Sequence, residues 1–340
     1  MTSTFEAAYR NLERIASGQI DDESISELKR ALNGKGGLLA AKAAEIVGSR
    51  NLRDLIPDMI AAFERFARDG AKTDKQCAAK IAIADVLNKL EYMGDEVFLA
   101  GAYHAQSEPS FGMPIDSAIK LRCACAYGLA RIGHPNAHHV LADLLVDPED
   151  GVRVRFTNPD PEVDAEYEVR AAAAKALAYM GTPEAELLLR LKVLTGDKRL
   201  EVISECFTGL MAMAPDRSLD FVGRFLQSDN PPMAESAALA IGTSRAPGAY
   251  DALRRGWDAN LSPAFRRILL LPMALARSDE GFDFLIEVLR KADGKMASEA
   301  LRALSLYADD DSVRRIGEAV KARGETEMLR NFEAEFGGVG

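Results

Sequence analysis

The chain has 340 residues, 48% of them hydrophobic, and a formal charge of −10. That hydrophobic share is ample for a continuous core, and with aromatics at 7% the core must be built mainly from Ala and Leu. The acidic balance argues against nucleic acid as a partner, because a nucleic-acid footprint requires a basic face.

The N-terminal residues Met1 to Arg10 lack the charged, apolar and small-residue order of a signal peptide. The longest apolar run, Ile268 to Ala276, is interrupted by Pro272 and is too short to span a bilayer. No membrane partner is expected, and a cytoplasmic location is. Cys77, Cys123, Cys125 and Cys206 fall inside Ala-rich helical runs, without the spacing of a disulfide framework.

Helix signals begin near Phe5 to Ala16, which reads as a capping helix within residues 1–18, and then recur in pairs. The spacing predicts helices over Asp22 to Leu32 and Leu38 to Val47, then Leu52 to Arg68 and Asp74 to Tyr92. Asp95 to Ala105 pairs with Asp116 to Ile132, and Pro135 to Val146 with Tyr167 to Met180. A helix opening at Pro183 is predicted to take Thr182 as its N-cap and to end at Gly196, with Leu200 to Met213 returning. Further pairs follow: Pro215 to Gln227 with Met233 to Ile241, and Pro247 to Asp258 with Pro263 to Ala276. Asp279 to Lys291 pairs with Lys295 to Leu306, and Asp311 to Lys321 with Glu325 to Phe336, so that 309–340 forms a C-terminal cap.

Pro183, Pro215 and Pro247 stand 32 residues apart, and Asp279 continues the register. A fixed period of helical texture means a solenoid, in which each unit buries its apolar face only against its neighbours. Each proline is expected at the first helical position, where its missing N–H has no partner to lose. The fold class expected is therefore all-α: one α-solenoid of about nine helix pairs over 1–340.

Val169-Arg170-Ala171-Ala172-Ala173-Ala174-Lys175-Ala176-Leu177, running on through Gly181-Thr182-Pro183-Glu184-Ala185, resembles the HEAT repeat in its short bacterial, phycobilisome-lyase-like form. Leu121 to Ala137, ending Gly133-His134-Pro135-Asn136-Ala137, repeats it, while the other units keep the period without the Gly-x-Pro signature. This resemblance implies a right-handed superhelix with first helices on the convex side and second helices on the concave side. A tetratricopeptide array would need a 34-residue period and a Trp/Tyr pattern, and Trp257 is the only tryptophan.

No catalytic constellation survives inspection. Cys123 and Cys125 lie about 200° apart around a helix and cannot share a metal on that helix alone. His134 and His138 have the spacing of two zinc ligands, but no third ligand stands nearby in sequence. The His-Glu pairs of a diiron HEAT-repeat hydroxylase are missing. Gly34-Lys35-Gly36-Gly37 has neither the flanking strand nor the Gly-Lys-Ser/Thr ending of a phosphate loop and reads as a helix-ending turn. Trp257 could anchor a peptide or a base, and reads first as packing between repeats. No cofactor and no metal are expected.

Two adjacent repeats depart from the pattern, with insertions at 107–115 and 147–166 in the same turn position and hence on one edge. Within the second, Val152 to Phe156 and Glu162 to Tyr167 alternate apolar and charged residues around Thr157-Asn158-Pro159-Asp160-Pro161, the pattern of a small β-hairpin over 152–167. Arg153 and Arg155 would face Glu162, Asp164 and Glu166. Phe111, Met113, Arg153, Arg155, Phe156 and Tyr167 are accordingly the candidate partner-binding residues. The hairpin could equally cover a gap in the stack.

These readings converge on a non-enzymatic scaffold that binds a protein or peptide on its concave face and inserted edge. The alternatives are a HEAT-like DNA glycosylase or other nucleic-acid-binding protein, and a chromophore-lyase-like subunit, the last from the resemblance alone.

Overall fold

A computed structural model describes residues 4–109, 114–146, 167–260 and 262–337. The chain divides into two compact units, Met1–Leu188 and Leu189–Gly340.

The first unit opens with α1 (Thr4–Ser17), α2 (Asp22–Asn33) and α3 (Gly37–Ser49). A 3-10 turn at Arg53–Leu55 leads into α4 (Ile56–Arg68), followed by the single turn α5 (Gly70–Thr73). After a second 3-10 turn, Lys75–Cys77, come α6 (Ala78–Lys89) and α7 (Glu96–Ala102). Two short strands, β1 (Ser107–Glu108) and β2 (Ile115–Asp116), precede α8 (Ile119–Arg131), α9 (Ala137–Leu145) and α10 (Tyr167–Met180). Helices α3, α6, α8 and α10 pack side by side in one layer, backed by α2, α4 and α7. A helix flanked on both sides and backed by a third must bury most of its circumference. Alanine suits that position because it lets neighbouring backbones approach, and Ala40, Ala43 and Ala44 of α3 and Ala173 and Ala174 of α10 are fully buried.

Helix α11 (Pro183–Thr195) runs across the division of the chain. The second unit continues with α12 (Leu200–Met213), α13 (Pro215–Gly223), a 3-10 extension at Arg224–Gln227 and α14 (Pro231–Ser244). Then follow α15 (Ala249–Ala259), α16 (Pro263–Leu275), α17 (Asp279–Lys291), α18 (Gly294–Leu304), α19 (Asp310–Arg323) and α20 (Thr326–Phe336). Again alternate helices share a layer: α12, α14, α16 and α18 pack in succession, with α13 beside α15 and α17 beside α19. The all-α solenoid expected from the period, HEAT-like as the resemblance implies, is the fold observed.

The N-termini follow capping chemistry. The Thr182 hydroxyl accepts from the Ala185 N–H at 3.2 Å, and the Asp309 carboxylate from the Ser312 N–H at 2.9 Å. Pro183 and Pro215 take the first helical position as expected, but Pro247 does not. Ala246 accepts the Ala249 N–H at 3.0 Å around Pro247-Gly248, and Gly248 has φ +79°. Turn chemistry wins there, since Pro then Gly suits a type II turn, and the helix starts two residues later.

A second correction concerns the first insertion. Asp116 does not open the following helix; it sits in β2, antiparallel to β1 with Ser107 opposite Asp116 and Glu108 opposite Ile115. The strand pairing is set by buried polar groups, which an alternation of residue types does not announce. The hairpin read over 152–167 lies outside the described residues, except that Tyr167 begins α10.

Candidate functional site

A groove of about 570 Å³ opens on the α3, α6, α8 and α10 layer of the first unit. Its floor is α6, through Ala78, Ile81, Ala82, Asp85 and Val86. Ile119 and Lys120 of α8, Ile115 and Asp116 of β2, Glu45 of α3, Glu168 of α10 and Gln76 complete the lining. Ile115 is 48% exposed, an apolar side chain held open to water at the lip.

The lip is fixed from below by a buried polar network. Asp74 accepts from the N–H groups of Ala79 at 2.7 Å and Lys80 at 3.2 Å, so it caps α6 from outside the helix. Its carboxylate also meets the Lys80 ammonium at 3.0 Å. Lys80 donates onward to Gln106 Oε1 at 2.8 Å and to the Phe66 carbonyl at 3.3 Å. The Gln106 amide donates to the Asp74 carbonyl at 2.8 Å and to Glu108 at 2.7 Å. Gly70 gives this network room, because a Cβ there would stand 2.4 Å from Lys80 Nζ and 2.1 Å from Gln106 Oε1.

Glu108 ties the strand pair to the turn before α6. One carboxylate oxygen accepts from the Gln76 N–H at 2.6 Å and the Ser117 hydroxyl at 2.7 Å. Burial opposes its ionisation, but the bonds from Ser117, Gln106 and the Gln76 backbone outweigh burial and hold the carboxyl below its ordinary value. Asp116 behaves likewise: burial is overcome by the Arg122 guanidinium at 2.6 Å and by the N–H groups of Gln106 and Ala118. Gln76 and Cys77 are both left-handed, at φ +58° and +53°, a conformation that disfavours side chains by about 1–2 kcal/mol each. Cys77 is buried, and burial pushes its thiol up to about 11, so it is no nucleophile.

Asp85 differs from these acids. It is open to water along one side, yet the surrounding protein raises its carboxyl above the ordinary value. Among the described residues it makes no hydrogen bond and no ion pair.

Of the six residues singled out from sequence, Phe111, Met113, Arg153, Arg155 and Phe156 lie outside the described residues. Tyr167 is part-buried at the start of α10, next in sequence to the groove residue Glu168. Sequence reasoning missed Gln76, Asp85, Lys120 and Glu168. One signal was available: Asp85 is the single acid in the Ala78 to Val86 run.

The other candidate positions resolve into packing. Trp257 is buried edge-on against Phe284, ring centres 5.1 Å apart, with the Arg266 guanidinium 5.2 Å from its ring centre. It borders a separate groove of about 370 Å³ in the second unit. His134 Nε2 lies 3.1 Å from Asp95, and His138 Nε2 2.6 Å from the Thr182 hydroxyl, so the two rings serve different partners. Among the described residues no three His, Cys, Asp or Glu side chains are grouped to hold a metal ion, and no helix is long and apolar enough to cross a membrane.

Paired helices in two layers, with a groove on the second-helix layer, define a helical-repeat protein. Residues 162–242 match the HEAT repeats family, and residues 121–147 match the PBS lyase HEAT-like repeat, so HEAT-type repeats are shown over that part of the chain. No curated protein matches the sequence. Among solved structures the fold is similar to the karyopherin Kap121p bound to the SUMO protease Ulp1p, at 11% identity and a TM-score of 0.50, over 100% of this chain and 43% of that one. Kap121p bound to Ste12p gives 12% identity and a TM-score of 0.50, with the same coverage. The chain thus spans under half the length of the karyopherin chains it matches. The CpcE and CpcF phycocyanin lyase complex from Nostoc sp. PCC7120 is matched at 16% identity, covering 90% of this chain and 96% of that one, with a TM-score of 0.35.

Proposed function

We propose that this chain is a non-enzymatic scaffold that binds a protein or peptide partner on the second-helix layer of its first unit. The observation that carries the reading is the groove itself. It combines a floor of small side chains, exposed apolar walls and a lip held by buried hydrogen bonds, so it presents a pre-formed surface without ordering cost. The karyopherin structures of similar fold hold Ulp1p and Ste12p, which is consistent with such a role. A phosphate backbone is disfavoured there, because among the described residues the groove carries Glu45, Asp85, Asp116 and Glu168 against Lys120.

Site-specific photocrosslinking tests this. A benzoylphenylalanine at Ile115, on the exposed lip of the groove, is expected to capture a protein in cells, and one at the exposed Ala61 of α4 is not. Crosslinks from position 115 to nucleic acid, or equal capture from both positions, would refute the scaffold reading.

A further inference from the structure

The groove has room for a long side chain and a charge waiting at its floor. Ala78 and Ala82 are part-exposed where a larger residue would fill the space, and Ile81, Ile115 and Ile119 supply apolar walls. Of the four carboxylates, two are already compensated nearby: Glu45 lies 3.4 Å from Lys42, and Asp116 2.6 Å from Arg122. Asp85 and Glu168 make no ion pair or hydrogen bond among the described residues. Asp85 is the one that stands on α6 among the apolar groove residues Ile81, Ala82 and Val86, where it is open to an incoming cation.

Resting on the scaffold reading above, we propose that the groove receives a lysine or arginine side chain from a basic partner segment, its stem along Ala78, Ala82 and Ile119 and its charge at Asp85. Amphipathic cations suit such a site because their methylene stems bury against apolar surface while the head stays near water. Among the described lining residues an acidic partner would find Lys120 and would face four carboxylates. The choice of a basic segment therefore follows from charge complementarity, which fixes partner choice and approach more than it adds affinity.

The test is selection of a phage-displayed random peptide library on the full chain, with binding of recovered peptides then measured on variants. Asp85→Lys reverses the charge, Ala82→Trp fills the floor, and Asp54→Lys changes an exposed acid before α4; circular dichroism confirms that each variant is folded. The expected result is enrichment of Lys and Arg. Binding of those peptides should fall about tenfold or more in Asp85→Lys and in Ala82→Trp, and be unchanged in Asp54→Lys. Peptides that lose binding in Ala82→Trp but lack basic residues, or bind Asp85→Lys undiminished, would overturn the basic-segment inference and leave the scaffold reading standing. Peptides indifferent to Ala82→Trp, or no selection at all, would overturn both.

Discussion

The carboxylate of Asp74 and the ammonium of Lys80 meet at 3.0 Å with neither side chain exposed to solvent. Such a pair adds little by itself to stability, since desolvation offsets most of the attraction. Losing one partner is another matter. Lys80→Met leaves Asp74 buried with its charge uncompensated and is expected to destabilise by about 3–5 kcal/mol. Asp74→Asn combined with Lys80→Met should recover part of that loss. Urea unfolding followed by circular dichroism reads both, and a Lys80→Met midpoint equal to wild type would refute the claim.

Gly70→Ala places a methyl group on the same network, within 2.4 Å of Lys80 Nζ. The nearest atoms belong to groups held by hydrogen bonds, so they cannot swing away freely. A loss of about 1–3 kcal/mol is expected in the same unfolding assay.

Glu108 is one of the carboxylates that contribute to the response to acid. Its carboxyl is held below the ordinary value of 4.5, so its contribution is complete above that pH and is lost as pH falls through the lowered folded value. Asp116 acts in the same direction from 3.8. Glu108→Gln keeps an acceptor oxygen but removes the titration. Its melting temperature should therefore fall less than that of wild type between pH 7 and pH 3, and parallel curves would contradict this.

Asp85 has the opposite sign. Its raised carboxyl means that ionisation works against the folded state as pH rises through the folded value. Asp85→Asn is expected to melt higher than wild type at neutral pH and to match it in acid, where both side chains are neutral. A constant difference across pH would point to packing instead.

Strain at Gln76 can be relieved without disturbing the Glu108 bond, which uses the backbone N–H. Gln76→Gly removes the left-handed penalty but adds chain entropy to the unfolded state, so stability should change by less than about 1 kcal/mol. Gln76→Val, branched at Cβ, should lose more than the glycine variant does. Equal unfolding midpoints for the two would show that φ is not what matters there.

Much of the framework was legible in the chain itself. Leu200 to Met213 and Asp279 to Lys291 were read to the residue, because caps, breaks and apolar spacing are local signals. Pro247 misled because proline serves both turns and helix starts, and only the geometry of Gly248 separates them. Asp116 misled because its partners, Arg122 apart, are backbone groups that carry no residue type. The groove was illegible for a different reason: Glu45, Asp85, Lys120 and Glu168 stand roughly a repeat apart, so each looks like an ordinary solvated charge until α3, α6, α8 and α10 lie side by side. Gln76 gave no warning, since a left-handed residue is usually announced by glycine.

The alanine floor separates what the groove can hold from what keeps the repeats together. Ala79 and Ile83 of α6 face the core, while Ala78 and Ala82 face the groove. Enlarging a core-facing residue would strain the stack, whereas enlarging a groove-facing one only removes empty space. A lineage could therefore retune the size of its guest by single substitutions along one stripe of α6, leaving the architecture untouched. In such a protein, selectivity and foldability are written on opposite sides of one helix.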